Sequence, residues 1–248
     1  MVKREVLKDA GAGLKNRGIF VRIPKTASTS VESILSDHPN VILNSKLKIL
    51  PPNKGESSWS NVGLSNLWIQ TIGEDKWDKS FSFVFVRNPY DRAVSSWQHI
   101  CRMLRKGNLI ADRSQIKLNL VTFFSKVSTK LFHRPVTEGI SFDDFLYFLE
   151  SEMLVGGAKW HSTEQYIHLT DPDGKIIVDF VGRYENLQND FTKICETLGI
   201  QAAQLPYLKR AKSRREYTHY YNGTRKKIIE KIYKKDIELF GYCFTTKT

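Results

Sequence analysis

Cysteine is scarce in this chain of 248 residues: Cys101, Cys195 and Cys243 are its three. They lie far apart in apolar or C-terminal settings and form no Cys-x-x-Cys pair, which argues against a disulfide framework and a zinc site. Buried free thiols in a reducing compartment are expected. Long apolar runs are missing as well. No window approaches the ~18 consecutive apolar residues of a membrane span, and residues 1–17 are polar and charged, without the apolar core of a secretory leader. A cytoplasmic protein without membrane contact is expected. There are no internal repeats or low-complexity linkers, so a single domain over residues 1–248 is the simplest organisation. Glycine is absent where a nucleotide loop would need it. Val21, Arg22, Ile23 and Pro24 precede Lys25, so the Gly-x-x-x-x-Gly-Lys-Ser/Thr loop of ordinary ATP and GTP sites is not there.

What is present suffices for a packed core, with 41% hydrophobic and 12% aromatic residues. Lys and Arg outnumber Asp and Glu by 38 to 26, a formal charge of +12. That surplus suits an anionic cofactor, an anionic substrate or nucleic acid, or serves solubility alone.

Gly18 to Leu35 holds the densest chemistry. Ile19, Phe20, Val21 and Ile23 are strand-type residues, and Pro24 stops the strand. Lys25, Thr26, Ala27, Ser28, Thr29 and Ser30 then place one cation and four hydroxyls where a helix should begin, with Val31, Ile34 and Leu35 on its apolar face. A helix N-terminus has unpaired N–H donors and a partial positive charge, so this junction can cradle a phosphate or sulfate. The alternative is an ordinary connection whose Ser and Thr residues cap the helix.

Further along, residues 36–65 are rich in turn chemistry and read as a surface excursion. A short helix is expected over 66–76. Phe81 to Val86 is an almost unbroken apolar run, as in a central parallel strand covered on both faces. Asn88, Pro89 and Asp91 are helix-start residues, so a helix follows to about Lys106, with Ala93, Val94, Trp97, Cys101 and Leu104 buried and Arg92, Ser95, Ser96 and His99 on the other side. Arg87 falls at the carboxyl end of the strand, where open α/β sheets bind ligands. Residues 108–139 are mixed and basic, an insertion suited to a lid or the acceptor side. Ser141 with Asp144 caps another helix, which Gly156 and Gly157 end. Residues 166–169 and 175–182 read as strands joined by a turn at 170–174, and a helix with Leu187, Phe191, Ile194, Cys195 and Leu198 inward ends at Gly199. Five of the seven residues from Lys209 to Arg215 are basic, and residues 224–240 read as one amphipathic helix whose Lys227, Lys231, Lys234 and Lys235 form a solvated face.

Together, the junctions Pro24-Lys25-Thr26-Ala27-Ser28-Thr29-Ser30 and Val86-Arg87-Asn88-Pro89-Tyr90-Asp91-Arg92-Ala93-Val94-Ser95-Ser96 resemble those of the sulfotransferase superfamily. Val181 to Leu187 and Asp236 to Tyr242 are similar to the branch containing heparan sulfate 2-O-sulfotransferases and bacterial carbohydrate-type relatives. The resemblance covers nearly the whole chain. It implies an α/β fold, a P-loop-like three-layer sandwich with a central parallel sheet flanked by helices. It also implies transfer of a sulfuryl group from 3′-phosphoadenosine 5′-phosphosulfate to a hydroxyl, on a saccharide or glycosylated molecule, without a metal. On this resemblance Lys25 would contact the oxygen bridging phosphate and sulfate, and Thr26, Ala27, Ser28, Thr29 and Ser30 would hold the 5′-phosphate. Arg87 and Ser95, eight residues on, would take the 3′-phosphate with help from Lys212, Arg214 and Arg215.

A hydroxyl acceptor needs a base. Relatives often carry a His just upstream of the second junction, but Asn61 to Asn66 contains none. His161, in Lys159-Trp160-His161-Ser162-Thr163-Glu164-Gln165, resembles a His-x-x-x-Gln segment near the acceptor in similar bacterial proteins; His38 and Glu56 are weaker choices. The alternative for His161 is a hydrogen-bonded structural role. Two other functions stay open: a single-stranded nucleic-acid binder using the basic cluster with Tyr207, Tyr217, Tyr220 and Tyr221, or a nucleotide-binding fold without turnover.

Overall fold

The computed structural model describes residues 17–43, 64–105, 140–154, 156–206 and 215–245. In chain order its elements are β1 (Gly18–Val21), α1 (Ser28–Leu35), β2 (Val41–Leu43), α2 (Leu64–Ile72), α3 (Glu74–Asp78), β3 (Phe81–Val86), α4 (Pro89–Arg105), α5 (Phe142–Glu150), α6 (Gly156–Ser162), β4 (Phe180–Arg183), α7 (Leu187–Thr197), α8 (Gly223–Ile232) and α9 (Lys234–Phe240). They divide into two compact units. The first takes residues up to Asn88, Glu164–Arg214 and Lys235–Cys243; the second takes Pro89–Thr163, Arg215–Lys234 and the C-terminal residues from Phe244.

The first unit is an α/β structure built on a parallel sheet of strand order β2-β1-β3-β4. Gly18 pairs with Val41 on one side and Phe81 on the other, and Val86 pairs with Arg183. Every residue of β3 is buried, as expected of a parallel strand covered on both faces. Side chains alternate across a strand, so Phe81, Phe83 and Phe85 share a face. They pack with Phe20, with Val31 and Leu35 of α1, and with Phe191, Ile194 and Cys195 of α7. Phe20 stacks on Phe83 at 5.3 Å between ring centroids. The sheet's carboxyl edge therefore rests on a dense aromatic core, and both strand-to-helix junctions rise from that edge.

The second unit is helical in its described residues. Ser141 and Asp144 cap α5 reciprocally, each side chain bonding the other's backbone N–H. Asp143 takes a fork of two hydrogen bonds from Arg225 of α8, at 2.7 and 2.6 Å. Trp97 Nε1 donates to the Ile140 carbonyl at 2.8 Å, and its ring lies 5.4 Å from that of Phe142.

Several expectations need correction. The 36–65 excursion contains β2, a three-residue strand too short for periodicity to reveal, and its residues 44–63 lie outside the described set, as do residues 106–139. The helix expected over 66–76 is two, parted at Gly73, whose φ of 87° no helix accommodates. Gly156 and Gly157 open α6 rather than ending α5. Residues 166–168 form a 3₁₀ turn, not a strand, because the Asp236 carboxylate accepts the N–H groups of Gln165 and Tyr166, both at 2.8 Å. Only a single antiparallel bridge, Thr170 to Ile176, spans the turn that follows. The helix expected over 224–240 breaks at Tyr233.

Candidate anion and transfer site

In the first unit, the loop after β1 has an unusual backbone. Lys25 and Ala27 both adopt left-handed conformations, with φ of 70° and 68°. For residues with a Cβ this costs about 1–2 kcal/mol each, and such strain persists where the surroundings enforce it, commonly at ligand sites. Left-handed residues within a loop turn peptide N–H groups towards a common concavity, the geometry of backbone anion nests. Thr26, fully buried, closes the turn by donating its hydroxyl to the Ile23 carbonyl at 2.9 Å. Ala27, whose methyl side chain offers no capping oxygen, is the N-cap of α1. Ser28 Oγ accepts from Arg22 Nε at 3.2 Å, while Ser30 is buried and Thr29 half-buried.

Arg87 stands at the end of β3 with 3% of its surface exposed. Its Nη1 donates to the Lys25 carbonyl at 3.0 Å, and its guanidinium carbon lies 3.9 Å from the centre of the Tyr184 ring. The backbone is held equally firmly. Gln165 Oε1 accepts the Arg87 N–H at 2.8 Å, and Gln165 Nε2 donates to the Arg87 carbonyl at 2.9 Å. Glu185 Oε1 accepts the Asn88 N–H at 2.7 Å, and its other oxygen accepts from the Tyr242 hydroxyl at 2.9 Å. Burial, aided by the Glu185 charge, holds the Tyr242 phenol well above its ordinary pKa, so it stays a donor. The two strand-to-helix junctions expected from sequence thus meet through the Arg87–Lys25 bond.

In the second unit, Ser95 is half-buried on α4. Ser96 Oγ donates to the His161 carbonyl at 2.6 Å, and His99 Nε2 lies 3.0 Å from His161 Nε2 with the rings nearly perpendicular at 83°. One of the two nitrogens carries the hydrogen and the other accepts it. The expectation that Arg92, Ser95, Ser96 and His99 face away from the buried stripe fails for Arg92 and Ser96, each 1% exposed. Arg92 Nη2 donates to the Thr163 carbonyl at 2.6 Å, so its charge lies against a carbonyl instead of in water. Nothing local in the sequence couples His99 to His161 beyond the place of His99 one helical turn after Ser95. Lys212, Arg214 and Glu56 lie outside the described residues, Arg215 is exposed, and His38 is half-buried in the turn after α1.

A model of the sulfotransferase family matches residues 15–243, and the chain belongs to that family. Sulfuryl transfer is the family's chemistry. No curated protein matches the chain. Among solved structures, the crystal structure of a sulfotransferase from Alicyclobacillus acidocaldarius aligns at 13% identity and a TM-score of 0.35, covering 92% of this chain and 97% of that one. Among the described residues no helix is long and apolar enough to cross a membrane, and no group of three or more His, Cys, Asp or Glu side chains is placed to hold a metal.

Proposed function

We propose that this sulfotransferase uses 3′-phosphoadenosine 5′-phosphosulfate as donor and transfers its sulfuryl group, by in-line displacement, to a hydroxyl of a saccharide or glycosylated small molecule in the cytoplasm, without a metal. The observation that carries the donor assignment is the strained Lys25–Ala27 loop braced by Arg87, a backbone shaped to present N–H donors to an anion. Lys25 stabilises charge gathering on the bridging oxygen as the sulfur–oxygen bond breaks, and Thr26 to Ser30 hold the 5′-phosphate. Arg87 and Ser95, spaced as in the family motif, receive the 3′-phosphate, with Lys212, Arg214 and Arg215 adding charge around it. His161, coupled to His99, takes the acceptor's proton as the new oxygen–sulfur bond forms. Positioning and donors aimed at developing charge account for most of such catalysis.

Of the residues that would make a nucleic-acid platform, Tyr207 and residues 209–214 lie outside the described set, and the three described tyrosines give it no support. Tyr217, Tyr220 and Tyr221 contact Phe244, Trp97 and Phe142 edge to face, so their rings are committed to one another and not splayed for bases.

The test is transfer of labelled sulfuryl from the donor to a panel of saccharides, together with titration by adenosine 3′,5′-bisphosphate. A charge-assisted hydrogen bond contributes about 1.5–3 kcal/mol, so Lys25→Ala lowers kcat by about 10- to 150-fold at unchanged melting temperature. Wild-type protein that neither binds the bisphosphate nor transfers label refutes the donor assignment. Bisphosphate binding without transfer to any acceptor would indicate a fold that has lost turnover.

A further inference from the structure

Gln165 and Asp236 do not belong to either strand-to-helix junction, yet both are fully buried beneath them. The Asp236 carboxylate accepts two backbone N–H bonds, from Gln165 and Tyr166, and its Oδ2 also lies 3.3 Å from Gln165 Nε2. These bonds fix the orientation of the Gln165 carboxamide, because an amide whose NH₂ faces a carboxylate must present its oxygen on the other side. That oxygen meets the Arg87 N–H, while the NH₂ also reaches the Arg87 carbonyl. The carboxamide therefore clamps both backbone groups of one residue. The held Arg87 donates from Nη1 to the Lys25 carbonyl.

The last bond has a geometric consequence. The chain contains no cis peptide among its described residues, and in a trans peptide the carbonyl and the following N–H point in opposite directions. With the Lys25 carbonyl turned towards Arg87, the Thr26 N–H is turned away from it. The orientation of the loop's first donor is thus set by a chain of contacts that begins at Asp236.

We propose that Asp236 and Gln165 are positioning residues for the anion loop: they fix Arg87, and Arg87 fixes the left-handed Lys25 peptide whose neighbouring N–H groups grip the donor. This builds on the donor reading above and adds a role for a C-terminal helix in donor affinity. Neither residue touches the donor. Their effect passes through Arg87, so it vanishes when Arg87 is removed, which a merely structural role does not predict.

The experiment is a double-mutant cycle on the full chain, with two readouts. The first needs no ligand: amide exchange of the peptide covering residues 22–35, where the Ser30 and Val31 N–H groups bond the Ala27 carbonyl. Gln165→Ala and Arg87→Ala each speed exchange there about tenfold, the double variant is no faster than Arg87→Ala, and residues 223–232 are unchanged. The second is the dissociation constant of adenosine 3′,5′-bisphosphate, which rises about tenfold in Gln165→Ala and rises no further when that change is added to Arg87→Ala. Asp236→Asn, isosteric and gentler, gives a smaller shift of the same kind and serves if Gln165→Ala does not fold. Additive effects, or a lowered melting temperature with unchanged loop exchange, overturn the proposal. Coupled exchange in a wild-type protein that binds no bisphosphate would refute the donor assignment and leave the positioning chain standing.

Discussion

Ala27 offers a direct measure of the strain in the anion loop. It sits at φ 68° as the N-cap of α1, and its only side-chain group is a methyl, so substitutions there alter backbone preference with little else. Glycine adopts this conformation freely and removes about 1–2 kcal/mol of left-handed cost. The same change gives the unfolded chain extra freedom, which destabilises by about 0.4–1 kcal/mol. The difference leaves Ala27→Gly more stable by about 0.8 kcal/mol, equivalent to roughly 2–3 °C in a chain of this size. Valine, β-branched and a genuine outlier at positive φ, costs about 1–3 kcal/mol instead. Urea titrations followed by circular dichroism separate the three proteins by midpoint at constant slope, in the order glycine, alanine, valine. Affinity for adenosine 3′,5′-bisphosphate is kept within about twofold in Ala27→Gly, since the conformation is unchanged, and is lost in Ala27→Val along with the loop geometry. A glycine variant less stable than wild type, or glycine and valine variants that unfold together, would mean that the left-handed backbone is not a strained native feature.

Two further outcomes concern the core. A Cβ at Gly182 would lie 2.5 and 2.7 Å from ring atoms of the fully buried Phe85, so Gly182→Ala overpacks the aromatic layer and destabilises by about 1–3 kcal/mol. At Gly18 the nearest atom is the mobile Leu198 Cδ1 at 2.8 Å, and Gly18→Ala has the smaller effect; thermal unfolding that ranks the two the other way contradicts this packing. Cys101 and Cys195 are buried and Cys243 is exposed. Burial pushes the Cys101 thiol up and that of Cys195 to about 11, which leaves almost no thiolate at neutral pH. A disulfide reagent at pH 8 therefore titrates one thiol rapidly in the native protein and the other two only on unfolding, and two fast equivalents would be inconsistent with the fold.

The parts legible in the sequence are those with a local cause. The run Phe81 to Val86 could only be a covered strand, and Asn88 and Pro89 announced the helix that begins at Pro89. Ser141 and Asp144 spelled out their capping box, and Gly199 ends its helix at φ 63°. What escaped has distant causes. No local pattern reveals that Asp236 caps the turn at Tyr166, 70 residues away, and the alternating residues there read as a strand in its absence. Arg92 and Ser96 look like surface residues until the Thr163 and His161 carbonyls are in place to receive them. The candidate site divides the same way: Lys25 and Arg87 lie in readable motifs, while the Gln165 clamp and the His99–His161 contact exist only once the chain has folded.

The parallel sheet also sets a timetable for synthesis. Ser82 of β3 and Asp179, which bond each other beside the strand pair, are 97 residues apart, and ribosomes add about 5–20 residues per second. For about 5–20 s the nascent chain carries β3, with Phe81, Phe83 and Phe85, before the segment that closes its free edge has been made. An unpaired apolar edge is a template for pairing with other chains. While that edge is open on the ribosome, the nascent chain carries a pairing hazard that the mature fold no longer has.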